Sequence, residues 1–236
     1  MALVGDGRKA QLGEISLAHI GVLFLDELPE FSREALETLR QPLETGEIWI
    51  ARASTHIRYP CRFLLITAAN PCKFGSLYQA ERACNKAPHC GAHYFQRLSG
   101  PLLDHFDLCV HVEATSFTSL QNHELGETTG DIAARLRAAR RCQSLRFSAY
   151  DGIHSNADAH GKVLNQKCAP APETISWLHK ALDHFQLSPR GYHGMLRVAR
   201  TIVDLDGSDA IEKPHLSEAL GFRPIPAPGK SATQAG

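Results

Sequence analysis

Residues Gly21-Val22-Leu23-Phe24-Leu25-Asp26-Glu27 place four consecutive apolar side chains directly before two carboxylates. A run of this kind reads as a strand buried on both faces, as parallel strands are. An acidic pair at its C-terminal edge stands where α/β sheets bind ligands. In a nucleoside triphosphatase the first carboxylate helps to hold Mg2+ and the second polarises the attacking water. Two solvated acids at an ordinary strand end are the alternative reading.

The rest of the chain divides by texture. Residues 31–43 read as a helix, with Ser32 as N-cap and Leu36, Leu39 and Leu43 at helical spacing. Residues 46–59 alternate as a β-hairpin around Ala53-Ser54-Thr55. Residues 63–69 form a second apolar strand ending at Asn70-Pro71, and Leu108 to Val112 read as a further strand. Strands separated by helical stretches predict an α/β layer with a parallel sheet. After a polar stretch at 116–130 the pattern turns all-helical: a basic helix over 131–145, irregular chain over 156–172, then helices over 172–185, 188–205 and 214–220. Ser188-Pro189 suits an N-cap followed by a first turn. The Pro-rich tail over 223–236 is expected to be disordered.

Charge excludes one class of function. Lys+Arg and Asp+Glu both number 25, so no global field draws the chain to nucleic acid or anionic membrane. Any such binding must come from a local patch. No run of about eighteen apolar residues is present, and MALVGDGRKA has no apolar signal core, so no membrane partner and a cytoplasmic location are expected. Seven cysteines without disulfide spacing fit reduced thiols, with Cys61 and Cys109 in the core.

Five longer segments narrow the reading. GEISLAHIGVLFLDELPEF (13–31) resembles the Walker B region of the magnesium-chelatase-like AAA+ ATPases, most closely their competence-associated YifB/ComM branch. LRQPLETGEIWIARA (39–53) resembles that family's helix and pre-sensor hairpin, and ITAANPC (66–72) its sensor-1 segment. RLSGPLLDHFDL (97–108) resembles the arginine-finger segment, and SPRGYHGMLRVARTIVDL (188–205) the sensor-2 helix of the lid. The resemblance runs from about residue 2 to 222. It implies an α/β fold: a partial AAA+ P-loop NTPase core of three layers around a parallel sheet at 1–115, a linker at 116–130 and an all-helical lid at 131–222.

The same resemblance implies roles. Asp26 would be the Mg2+-associated carboxylate, Glu27 the general base and Asn70 sensor 1. Arg190 would be sensor 2, with Arg197 as the competing choice. ATP and Mg2+ are the implied cofactors. DNA is the implied partner, remodelled by branch migration or helicase action during natural transformation by a homo-hexameric ring. Trp49, Arg52 and Arg58 on the hairpin would meet the DNA strand.

Two departures matter. No G-x-x-x-x-G-K-[ST] occurs in the chain, so the loop that cradles phosphates is missing. The position that is Arg in the family's Leu-Leu-Asp-Arg-Phe-Asp is His105, with Arg97 upstream as a weak substitute. A finger of this kind can be worth about 10³–10⁵ in rate. The chain is therefore expected to be a fragment that does not hydrolyse ATP alone. Three outcomes compete: completion by an upstream chain, a non-enzymatic DNA- or partner-binding remnant, or a degenerate truncated product. Cys72, Cys84, His89, Cys90 and His93 offer enough ligands for a zinc site, against the plainer reading of a loop with free thiols. Arg135, Arg137, Arg140, Arg141 and Arg146 on the basic helix either meet DNA phosphates or form a solvated lid face.

Overall fold

The computed structural model describes residues 3–5, 12–52, 55–72, 89–112 and 126–223. They form two compact units, one reaching to His105 and the other starting at Phe106.

The first unit is a mixed α/β body. A short helix α1 (Glu14–Leu17) leads into β1 (Val22–Leu25), and the acidic pair follows in a turn before a 3-10 segment, Leu28–Glu30. β1 pairs in parallel with β4 (Leu64–Thr67), in register Val22 to Leu64 and Leu25 to Thr67. Between them run α2 (Arg33–Glu37), α3 (Arg40–Thr45) and the antiparallel hairpin β2 (Glu47–Arg52) and β3 (Thr55–Pro60). Later come α4 (His89–Phe95) and α5 (Gly100–Leu103).

The predicted helix over 31–43 is two helices. Ser32 caps the first, its Oγ accepting the Ala35 amide at 3.2 Å. A continuous helix would put Pro42 in its interior, where proline has no N–H to give and its ring meets the preceding turn. Restarting at Arg40 leaves Pro42 in a first turn, where that N–H is not needed.

β1 is not buried on both faces, as its composition predicts. Leu23 and Leu25 are buried, whereas Val22 and Phe24 are 56% and 57% exposed. On β4, Leu64 and Ile66 are likewise exposed at 60% and 43%. Only one face of this pair is covered, and among the described residues the parallel sheet has two strands.

The second unit is helical: α6 (Thr129–Arg146), α7 (Gly161–Lys167), α8 (Ile175–Phe185), α9 (Pro189–Asp206) and α10 (Lys213–Gly221). The stretch read as irregular holds α7 and a 3-10 turn, Asn156–Asp158, fixed by a reciprocal capping box between Ser155 and Asp158. The expected helix start at Ser188-Pro189 is present, with Ser188 Oγ accepting the Gly191 amide at 3.0 Å. Phe147, Leu164, Met195, Leu196, Val203 and Leu216 form the heart of the core. Full burial of each contributes roughly 1.5–3 kcal/mol.

The strand expected at 108–112 does not form. These residues are exposed and join no ladder, and the Cys109 amide instead donates to the Phe222 carbonyl at 2.7 Å. Cys109, expected in the core, is exposed, while Cys61 is buried. The tail beyond 223 and the residues of the linker up to 125 lie outside the described residues. No helix among the described residues is long and apolar enough to cross a membrane.

Candidate functional site

Asp26 and Glu27 leave β1 at the same edge at which Asn70 follows β4. The amide of Ala68 donates to the Leu25 carbonyl, and the Leu28 amide returns to the Ala68 carbonyl, both at 3.0 Å. The turn bearing the two acids is thus sewn to the segment bearing Asn70. All three side chains are exposed. Asp26 Oδ1 accepts the Glu27 amide at 2.9 Å. Glu27 itself sits in the left-handed region, φ 50° and ψ 47°. A non-glycine residue held there costs on the order of 1–3 kcal/mol, which the surrounding structure must over-determine.

What holds that corner was not legible beforehand. Arg97 Nη1 donates to the Pro29 carbonyl at 3.0 Å and stands 3.8 Å from the Glu30 carboxylate. Tyr94 is buried and hydrogen-bonded to Glu30. Burial first, then that hydrogen bond and the charges of Glu30 and Glu27, push its phenol up. Arg97 therefore braces the acid turn of its own unit.

His105 is also engaged. Its side chain is 5% exposed, and Nε2 lies 3.3 Å from Glu44 Oε1. On the hairpin, Ile48 and Ile50 face inward while Trp49 is 54% exposed. Trp49 is the direct cross-strand partner of Arg58. The guanidinium lies over the indole at 5.9 Å and 3.3 Å from Glu47. Arg52 pairs with Thr55 in the backbone register.

In the helical unit the two arginines of α9 part company. Arg197 Nε donates to the Ala159 carbonyl at 3.0 Å, while Arg190 is exposed in the first turn. The unit's interior holds a charged hub. Asp204 accepts both Nη atoms of Arg146, the Asn156 amide at 2.8 Å, and Nε and Nη2 of Arg200 at 3.2 and 3.1 Å. Burial alone would push the Asp204 carboxyl up. Hydrogen bonds from Arg146 and Asn156 and the charges of Arg146 and Arg200 outweigh that and hold it below the ordinary carboxylate value. The i, i+4 spacing of Arg200 and Asp204 was the one sequence signal for this hub.

Of the zinc candidates, Cys72 is buried, Cys90 half-buried, and His89 and His93 exposed on α4. Cys84 lies outside the described residues. Among the described residues no group of three or more His, Cys, Asp or Glu could hold a metal ion. The thiols differ sharply in exposure. Burial pushes Cys168 up, and burial with the nearby Glu47 does the same to Cys61, whereas Cys109 and Cys142 are exposed. An alkylating reagent followed by peptide mass mapping should modify Cys109 and Cys142 promptly, and Cys61 and Cys168 only as the fold opens. Equal rates at all four would contradict this packing.

Two family models match the chain along most of its length. The model described as magnesium chelatase, subunit ChlI, matches residues 1–120, and the model of that subunit's C-terminal part matches residues 126–223. Competence protein ComM of Haemophilus influenzae is 44% identical over 223 residues, which is 94% of this chain and 42% of ComM. YifB of Escherichia coli is 41% identical over 225 residues, 95% of this chain and 43% of YifB. The magnesium-chelatase 38 kDa subunit of Acidiphilium rubrum is 26% identical over 225 residues, covering 90% of this chain and 54% of that subunit. The chain thus spans less than half the length of ComM and YifB. It belongs to the magnesium-chelatase-like family, in the branch that contains ComM and YifB.

Proposed function

We propose that this chain supplies the acid and sensor half of an ATP site in a DNA-handling AAA+ motor. The observation that carries the reading is the shared strand edge. Asp26, Glu27 and Asn70 emerge from two paired parallel strands, on turns sewn together by Leu28 and Ala68. The name of the Haemophilus relative, a competence protein, supports a role in natural transformation.

The residues fit a Mg2+-nucleotide. Asp26 is an exposed oxygen donor of the hard type that Mg2+ shares with phosphate oxygens. Asp26 would hold the ion, which when bound would supply charge neutralisation to the phosphoryl transfer. Glu27, exposed beside Asp26, would orient and deprotonate the attacking water. Asn70 hydrogen-bonds that water or the terminal phosphate. Arg190, exposed in the first turn of α9, is taken as the sensor-2 residue, with Arg197 as the alternative. The phosphate-gripping loop must come from polypeptide outside residues 1–236, which contain no G-x-x-x-x-G-K-[ST]. Rings of subunits would form the complete sites. Trp49 and Arg58 present a stacked aromatic and cation to the DNA strand.

A second reading has its own support. His105 is buried against Glu44 rather than presented outward, which favours a chain that binds DNA without efficient turnover.

The test is Mg2+-dependent ATP binding and turnover by this chain, alone and mixed with the segment of Haemophilus ComM that it does not match. Binding and turnover only in the mixture, with binding lost in Asp26→Ala, is the expected result. Tight binding by the chain alone would overturn the half-site reading. DNA binding without turnover in the mixture would establish the second.

A further inference from the structure

We infer that α6 carries a second nucleic-acid contact, made by Arg137, Arg140 and Arg141 through backbone phosphates. The inference rests on the DNA-handling reading above and adds a contact surface in the helical unit.

α6 is eighteen residues long, yet it buries only Ala139 and Gln143. Its five arginines fall into two kinds. Arg135 is held by Glu127 through two bonds, at 2.7 and 2.9 Å. Arg146 turns inward to Asp204. Arg137, Arg140 and Arg141 are exposed, and among the described residues they have no carboxylate or other hydrogen-bond partner.

At about 100° per residue these three share an arc of about 100° on the side away from Ala139 and Gln143. Gly130, Ala133, Ala134 and Ser144 are the other residues of that side, all small. The one acid of the helix, Asp131, lies off the arc and accepts the Thr128 hydroxyl at 2.6 Å. The surface is therefore cationic, acid-free and low, in a chain whose formal charge is zero.

Charge complementarity selects a polyanion, and the small residues select which one. A protein partner would need a bulky anchor at the centre of its contact. The exposed Leu136 and Leu145 flank the arc and are not within it. A phosphate backbone needs only guanidinium donors and room to approach. Arginines one turn apart supply both, without reading sequence.

The experiment measures fluorescence anisotropy of labelled duplex and single-stranded oligonucleotides with the full chain, across a range of salt. Variants are R137A/R140A/R141A, the lysine control K162A/K180A on α7 and α8, and the hairpin variant W49A/R58A. Far-ultraviolet circular dichroism checks that each is folded. The expected result is that the triple variant lowers the slope of log K against log salt by about 2–3, as three lost phosphate contacts require. The lysine control should keep the parent slope. An unchanged slope in the triple variant, or a fall per charge no larger than in the lysine control, overturns the contact. Loss of binding in the hairpin variant with no change in the triple variant overturns it too, and leaves the DNA reading standing. No binding by the parent chain overturns both. Labelled polyglutamate is measured in the same way, and a triple variant that loses its binding while keeping the DNA slope would mark an acidic protein as the partner instead and would also overturn the contact.

Discussion

Asp204→Ala should lower the stability of the helical unit by about 3–5 kcal/mol, because it leaves two buried guanidiniums without their shared carboxylate. The side chains of Asp204, Arg200 and Arg146 are 1%, 10% and 15% exposed, so water cannot take over the role of the lost partner. Asn156 loses an acceptor as well, and with it one tie between the 3-10 turn and α9. For a unit of about 100 residues, each kcal/mol is roughly 4–8 °C, so the transition in a calorimeter should fall by at least about 12 °C. A fall of only a degree or two would mean that the hub holds nothing. Replacing Arg146, Arg200 and Asp204 together by apolar residues of similar volume should restore much of the loss, since the penalty belongs to the unpaired charges.

The same carboxylate sets a pH dependence. Its pKa is lowered in the fold, so its contribution is fully present above the unfolded value of about 3.9 and is lost as pH falls through the lower folded value. Acid titration followed by circular dichroism should show the parent unit weakening below about pH 4, whereas Asp204→Asn, already weakened, should lack that part of the acid-linked loss.

Glu27 should show opposite effects on stability and turnover. In the mixture with the unmatched segment of ComM, Glu27→Gln should cut ATP hydrolysis by about 10²-fold or more while leaving nucleotide binding in place. Glu27→Gly should lose hydrolysis to the same degree and also gain about 1 kcal/mol of stability, because glycine occupies φ 50° without strain. Hydrolysis that survives both changes would remove Glu27 from the base role. A loss of stability in Glu27→Gly would show that its side chain, rather than its neighbours, fixes the turn.

Local chemistry was the part of the fold that could be read in advance. Ser32 and Ser188 announce helix starts because an N-cap is decided within four residues. The hairpin declares itself by alternation, and Ile48 and Ile50 do face inward. Interactions across long stretches of sequence were not readable. Leu108, Val110 and Val112 alternate like a strand, but the Cys109 amide finds its acceptor in Phe222, more than a hundred residues away. Asp204 meets Arg146 and Asn156 across 58 and 48 residues, and no periodicity points to that meeting. At the candidate site the acids and Asn70 stood out in the sequence. The brace formed by Arg97, Glu30 and Tyr94 did not, because it depends on α4 packing beside the turn.

The half-covered sheet has a thermal consequence. Val22, Phe24, Leu64 and Ile66 present an apolar surface to water along one side of β1 and β4. Whatever polypeptide comes to cover it removes that surface from water with a negative heat-capacity change. The attraction gained there is largely entropic near room temperature and weakens on cooling. Any complex closed over this face should therefore be cold-labile, coming apart in an ice bath and re-forming on warming.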